Sequence, residues 1–270
     1  MNGPSLAESI RRARAALSGG PEVTLGVVVA APDRPGLVGR RLVWDGERLH
    51  GDLDEPGLAA VAERVLRSAD RDPGCRALDE TGVEIFVERI GPPPELVIVG
   101  AGHIARPLCS VGALLGWRVT VLDDRPEFAR AERFPDAARV LVADFDAPFA
   151  DVEIGPSTRL VLVTRGHRYD YDCLKALAAA DAAPAYLGMI GSRRRVRAAF
   201  EQLAAEGFDA AWLEKVYAPI GLDVGSETPA EIAVAIAAEM VLAERGGTGR
   251  PLREVKQVVR YVKALGQEVG

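Results

Sequence analysis

An apolar run, Leu96 to Val99, ends in Gly100-Ala101-Gly102-His103-Ile104-Ala105. This is a GxGxxA loop, and each small residue has a chemical reason. Gly100 permits a tight turn out of a strand, Gly102 lets backbone approach a pyrophosphate, and Ala105 keeps the following helix close. The N–H groups and macrodipole at that helix start favour an anion. A second apolar run ends at Asp123, 23 residues after Gly100, where an acid can accept ribose hydroxyls. Arg125 is a candidate for an extra phosphate or a solvated arginine at a strand end. The bland alternative for the whole loop is a scaffold whose glycines serve only helix–strand packing.

Three other stretches carry polar chemistry. Thr164-Arg165-Gly166-His167-Arg168-Tyr169-Asp170 follows a fourth expected strand, where open α/β sheets bind ligands. His167 there is a candidate acid or base, or an ordinary surface-loop histidine. Gly191-Ser192-Arg193 opens a helix after a fifth strand, and Arg193 and Arg197 share a face by their spacing, as a phosphate site or a solvated charged face. Gly221 to Glu227 places Asp223 and Glu227 between glycines, as a ligand loop or a turn with helix-dipole acids. No metal site is expected, because His50, His103 and His167 are scattered and the cysteines show no ligand spacing. Cys75, in an expected loop after Pro73-Gly74, is the candidate reactive thiol. No G-x-S-x-G elbow, Walker lysine or HExxH is present.

These residues need elements to hold them. Residues 22–30 and 40–44 read as strands, Asp45-Gly46 as a hairpin turn, 58–69 as a helix, and 83–87 as an edge or half-buried strand. That is a small α+β domain. Gly91-Pro92-Pro93-Pro94 can continue neither a helix nor a central strand, so a boundary is placed there. Beyond it, strands at 96–99, 118–122, 140–142, 160–163 and 185–190 alternate with helices at 104–115 and 172–180, which predicts a doubly wound parallel sheet. The C-terminal part reads as helical. Thr228-Pro229-Ala230-Glu231 is a capping box with proline at the first helical position, Gly246-Gly247 stops that helix, and residues 251–265 make a last one with Val255, Val258, Val259 and Val262 inward.

The 270 residues suggest about two domains. Net charge is −6, which argues against a general nucleic-acid binder. Cys75, Cys109 and Cys173 form no disulfide framework, so a reducing compartment is expected. Residues 1–17 carry charges in a helical pattern and read as no signal peptide, and no apolar run nears the ~20 residues of a membrane span. A soluble, cytoplasmic protein is expected, with a homodimer as the default assembly.

Five motifs occur in order: Gly100-Ala101-Gly102-His103, Asp123-x-Arg125, Thr164-x-x-His167-x-x-Asp170, Tyr186-x-Gly188-Met189-Ile190-Gly191-Ser192-Arg193, and Pro219-Ile220-Gly221-Leu222-Asp223-x-Gly225-x-x-Thr228-Pro229-x-Glu231-Ile232-Ala233. Together they resemble the XdhC/CoxI family of molybdoenzyme maturation factors, over roughly residues 80–245. The resemblance implies a small XdhC/CoxI domain at 1–90, a proline-rich linker at 91–95 and a Rossmann-like domain with C-terminal helices at 96–270. It implies an accessory protein that binds molybdenum cofactor (molybdopterin), assists its sulfuration and hands it to an apo-molybdoenzyme of the xanthine dehydrogenase or carbon monoxide dehydrogenase type. A cysteine desulfurase is a further implied partner. The cofactor-binding set carried over is Gly100, Gly102, His103, Asp123, Arg125, Thr164, His167, Asp170, Gly191, Ser192, Arg193, Asp223 and Glu227, with no catalytic residue. The N-terminal part departs from the family. Ala31-Pro32-Asp33-Arg34-Pro35-Gly36 stands for its usual Ser-x-Pro-Arg-x-Gly, Gly51-Asp52-Leu53-Asp54 for its Gly-Gly-Cys or Gly-Gly-x-Glu, and Cys75-Arg76-Ala77 for its Cys-Gly-Gly.

Two other functions stay open on the same residues. One is an NAD(P)-dependent oxidoreductase using the glycine loop, Asp123 and His167. The other is a non-enzymatic scaffold that docks a partner.

Overall fold

The structure, a computed structural model, describes residues 6–18, 20–51, 53–69, 73–78, 81–180 and 182–255. The chain divides into two compact units between Pro93 and Pro94.

The first unit is an antiparallel sheet with a helix on each face. Its strands are β1 (Val23–Ala30), β2 (Arg41–Trp44), β3 (Leu49–His50), β4 (Gly74–Ala77) and β5 (Glu84–Ile90), in the order β3-β2-β1-β5-β4. Alternation along the strands divides the core. Val23, Leu25 and Val43 face α1 (Leu6–Leu17), while Val28, Leu42, Ile85 and Val87 face α2 (Pro56–Arg67) through Leu58, Ala62 and Leu66. The Asp45-Gly46 turn closes the β2–β3 hairpin, with Trp44 opposite Leu49. The strand expected at 83–87, at an edge or half-buried, is β5, which is half-buried and paired on both sides. One expectation changes. Cys75 lies on the edge strand β4, exposed, and not in a loop.

The second unit is the expected doubly wound sheet. Strands β6 (Glu95–Val99), β7 (Arg118–Asp123), β8 (Arg139–Val142), β9 (Thr158–Leu162) and β10 (Tyr186–Met189) are all parallel, in the order β10-β9-β6-β7-β8. The chain winds outward from β6 to β8, then returns to the other side of β6 at β9. Helices α3 (Ala105–Leu114) and α7 (Pro229–Arg245) cover the face that presents Leu96, Ile98, Val119 and Val121. Helices α4 (His167–Ala179), α5 (Arg193–Ala205) and α6 (Ala210–Leu213) cover the face of Val97, Val99, Leu160 and Leu162. With both faces buried, the central strands need continuous apolar runs, which is how their sequences read. Past α6 the backbone at Tyr217 adds to β10: its N–H donates to the Leu187 carbonyl (2.8 Å), and its carbonyl accepts from the Met189 N–H (2.9 Å).

Helix α4 begins at His167, five residues before the expected Asp172, so His167 opens a helix rather than sitting in a surface loop. Helix α8 (Leu252–Val255) is the described part of the expected last helix, and there Val255 is exposed, not inward. Val258, Val259 and Val262 lie outside the described residues. No helix among the described residues is long and apolar enough to cross a membrane.

The start of α7 is closed by a capping box: the Glu231 N–H donates to Thr228 Oγ1 (3.3 Å) and the Thr228 N–H to Glu231 Oε2 (2.9 Å). A Thr228→Ala variant is expected to lose about 1 kcal/mol of stability, read as a lower urea midpoint at unchanged slope.

Candidate functional site

The parallel strands of the second unit end at one edge of the sheet, and their ends, the loops leaving them and the first turns of the helices that follow carry every expected site residue except Asp223 and Glu227. The point where winding reverses lies between β6 and β9, where doubly wound sheets open a crevice. Gly100 leaves β6 with φ +105°, and its N–H donates to the Leu122 carbonyl (2.7 Å). A Cβ there would stand 2.5 Å from the Val163 carbonyl oxygen and 3.0 Å from Thr164 Cα, so the glycine loop lies directly against the backbone that leaves β9. Gly102 differs: a Cβ there would meet nothing within 4 Å among the described residues. The backbone at Gly102 therefore faces open space, as a phosphate cradle requires.

Three helices begin at this edge, α3 after β6, α4 after β9 and α5 after β10. Ile104 and Gly166, which precede α3 and α4, make no side-chain cap bond, so the first N–H groups of both helices keep their capacity for an anion. Helix α5 is capped by Ser192, whose hydroxyl accepts from the Arg195 N–H (3.3 Å).

A buried carboxylate ties α4 to α5. Asp170 is 1% exposed; one oxygen accepts from the Thr164 hydroxyl and the other from Arg195 Nη2. The Nε of Arg195 is buried and has no hydrogen-bond partner among the described residues. Sequence reasoning picked Arg193 and Arg197 from this arginine run. Instead, Arg193 is exposed, Arg197 pairs with Glu201 (2.7 Å), and Arg195 pairs with Asp170. The signal was the cap: Ser192 places Arg195 three residues into the helix, beside the buried acid one element earlier.

Asp123 ends β7 and is 2% exposed. Its Oδ2 accepts from the Ala101 N–H (2.7 Å) and Arg125 Nη2 (2.9 Å), and its Oδ1 from the Arg125 N–H (3.0 Å) and Nε (2.8 Å). Burial pushes its carboxyl up, but the Arg125 guanidinium and the N–H groups of Ala101 and Arg125 outweigh that and hold it below the usual range. Four donors fill the carboxylate, so the expected acceptor of ribose hydroxyls instead fastens the glycine loop to the end of β7. Arg125 is likewise committed, stacked 3.6 Å above the Phe128 ring while it grips Asp123, rather than open for an extra phosphate. The neighbouring pair escaped the sequence entirely: Arg165 donates from Nη1 and Nη2 to the two oxygens of Asp124, both at 2.8 Å.

His103 is exposed in the turn before α3, and Gly191 precedes the Ser192 cap. Asp223 and Glu227 lie in the loop after Ile220, whose N–H donates to the Met189 carbonyl (3.1 Å). Both acids are exposed, and neither side chain has a hydrogen-bond or ion-pair partner among the described residues. Their loop is anchored by Glu239 of α7, which accepts from the Gly221 N–H (3.0 Å) and from the hydroxyl of buried Tyr186. Glu239 sits two turns past the capping box and had no sequence signal of its own. No group of three or more His, Cys, Asp or Glu among the described residues is placed to hold a metal. Cys109 and Cys173 are buried, and burial raises both thiols, as expected for packing cysteines.

Residues 96–240 match the family model described as the XdhC Rossmann domain. Over 202 residues, 72% of this chain, it is 32% identical to a protein of Escherichia coli K12 described as uncharacterized protein YqeB, spanning 37% of that protein. Over 163 residues, 60% of this chain, it is 29% identical to a probable xanthine dehydrogenase subunit of Bacillus subtilis 168, spanning 46% of it. The chain thus spans less than half the length of both curated relatives. A crystal structure of a xanthine dehydrogenase from Bacillus halodurans superposes with a TM-score of 0.67 at 23% identity, over 90% of this chain and 66% of that one; at that identity the likeness is one of fold.

Proposed function

This chain belongs to the XdhC Rossmann-domain family, and from that membership we propose that it is an accessory factor of a xanthine dehydrogenase-type molybdoenzyme, which binds molybdenum cofactor as cargo in the crevice between β6 and β9. The B. subtilis relative carries xanthine dehydrogenase in its name, which supports that client class. In this reading the protein binds and hands over; an apo-molybdoenzyme receives the cargo, and a cysteine desulfurase supplies its sulfur. Bound in its client, the cargo supplies the redox centre.

One observation carries the proposal: the backbone at Gly102 opens onto free space beside two helix starts without side-chain caps. That arrangement fits the phosphate of a molybdopterin. Arg195, with its buried Nε unpartnered among the described residues and Asp170 fixing its far edge, adds a positioned guanidinium. Asp223 and Glu227 would meet the pterin edge, and His103, Thr164 and Ser192 would line the cradle.

The nicotinamide alternative asks Asp123 to hold a ribose, and its carboxylate is already filled by four donors. Mass spectrometry of what the purified, denatured full chain releases separates the two: a pterin supports the proposal, and NAD or NADP sinks it. Reactivation of an apo-molybdoenzyme by Gly102→Asp is expected to fall at least about tenfold, since a carboxylate in the cradle repels a phosphate. Normal reactivation by that variant would remove the glycine loop from the site.

A further inference from the structure

Three guanidiniums at the crevice edge are each bound to a carboxylate: Arg125 to Asp123, Arg165 to Asp124, and Arg195 to Asp170. An incoming anion gains most from a cation it can take whole. Asp123 and Asp170 are 2% and 1% exposed, so removing their arginines would strand a buried charge. Asp124 differs. Its side chain is 27% exposed and that of Arg165 37%, and Arg125 Nε stands 3.9 Å from its Oδ1, so water and a second guanidinium balance the carboxylate once Arg165 leaves.

The position of this pair matters as much as its exposure. Arg165 follows β9 and Asp124 follows β7, while β6 and its glycine loop lie between them. Adjacent strands are about 4.8 Å apart, so a bond from the end of β9 to the end of β7 must cross the end of β6. Contacts on both sides agree. Gly100 packs on Val163 and Thr164, next to Arg165, and the Ala101 N–H binds Asp123, next to Asp124. Arg165 also lies 4.3 Å over the Tyr169 ring and donates to its hydroxyl, and Phe145 braces that ring edge-on at 4.8 Å. These contacts hold the guanidinium against the first turn of α4 without Asp124.

We propose that Arg165 is the ligand-gripping side chain of this crevice: an anion of the phosphate or pyrophosphate class takes its guanidinium from Asp124, so the Asp124–Arg165 pair is a strap across the glycine loop that the ligand exchanges. This rests on the reading of the crevice as an anion site and adds a specificity-determining residue to it.

The test is calorimetric titration of the full chain with inorganic phosphate and with pyrophosphate at low salt. Asp124→Asn is expected to tighten binding about fivefold, the competition of one exposed ion pair. Arg165→Gln should weaken binding, and Asp124→Asn should give no gain in the Arg165→Gln background. A gain on phosphate points to a monoester head group, and one on pyrophosphate to a dinucleotide linkage; either supports the strap. A gain that persists undiminished without Arg165 would be general electrostatics and would overturn it. So would unchanged affinity in Asp124→Asn. Binding that Gly102→Asp abolishes and Asp124→Asn leaves unchanged would overturn the strap alone. No anion binding by wild type or by Asp124→Asn would overturn both the strap and the anion-site reading. Strap behaviour as expected, with a failed reactivation assay, would overturn only the cofactor role.

Discussion

Alanine at position 100 is expected to lower the stability of the second unit by about 4 kcal/mol, while alanine at position 102 changes it by no more than about 0.5 kcal/mol. The two glycines share one motif and fail for different reasons. At Gly100 the added methyl would stand 2.5 Å from the Val163 carbonyl oxygen, and the obstacle is the backbone of the neighbouring strand end. That backbone cannot yield without breaking the Val163 N–H bond to the Val99 carbonyl (2.9 Å) and its parallel pairing. The φ of +105° adds strain that glycine alone avoids. At Gly102 nothing lies within 4 Å among the described residues and φ is not positive. Urea unfolding of the full chain, followed by tryptophan fluorescence with Trp44→Phe so that Trp117 and Trp212 report, measures both variants. Equal midpoints for the two alanines would contradict the close approach at Gly100.

The same contrast shows what a sequence can carry. The strand, glycine-loop and capping-box signals are local, and each came out where the residues put it: Leu96–Val99 as a strand buried on both faces, Thr228 to Glu231 as a reciprocal cap. Elements held by tertiary pairing were harder. Gly74-Cys75-Arg76-Ala77 has little β preference and follows a proline, yet it is a strand because β5 offers it a free edge. Helix α4 starts early, in a polar first turn. Tyr169 and Asp170 are there for polar partners, so the apolar period that marks a helix begins only later.

The site followed the same division. The glycine loop was legible because its constraint lies in its own backbone. The partners of its acids were not. In Asp123-Asp124-Arg125, spacing points to Asp123 as a ribose acceptor, and only the fold shows Arg125 turning back on Asp123 while Arg165 arrives from another strand to meet Asp124. Arg195 was hidden among five positions that hold four arginines, where the choice depends on which one meets Asp170.

Asp123→Asn is expected to cost about 3 kcal/mol at neutral pH, because the amide can satisfy no more than half of the four donors that now converge on the carboxylate. Whichever way it turns, its NH2 group faces one guanidinium nitrogen of Arg125 and one backbone N–H, that of Ala101 or of Arg125, donor against donor. The loss should centre on the glycine loop, and faster amide exchange at Ala101 would report it. A pH series gives a sharper test. The folded carboxyl lies below its ordinary value near 3.8. The stabilisation from Asp123 is therefore complete above that value and is lost as pH falls through the lower, folded one. The asparagine side chain of the variant does not titrate and has none of it to lose. The urea midpoints of wild type and variant should thus stay a constant distance apart from pH 7 to about 5 and converge below about pH 4, where other carboxylates shift both proteins alike. Parallel acid limbs would mean that Asp123 holds its loop by shape alone, and the charge that Arg125 shares with it would then be dispensable.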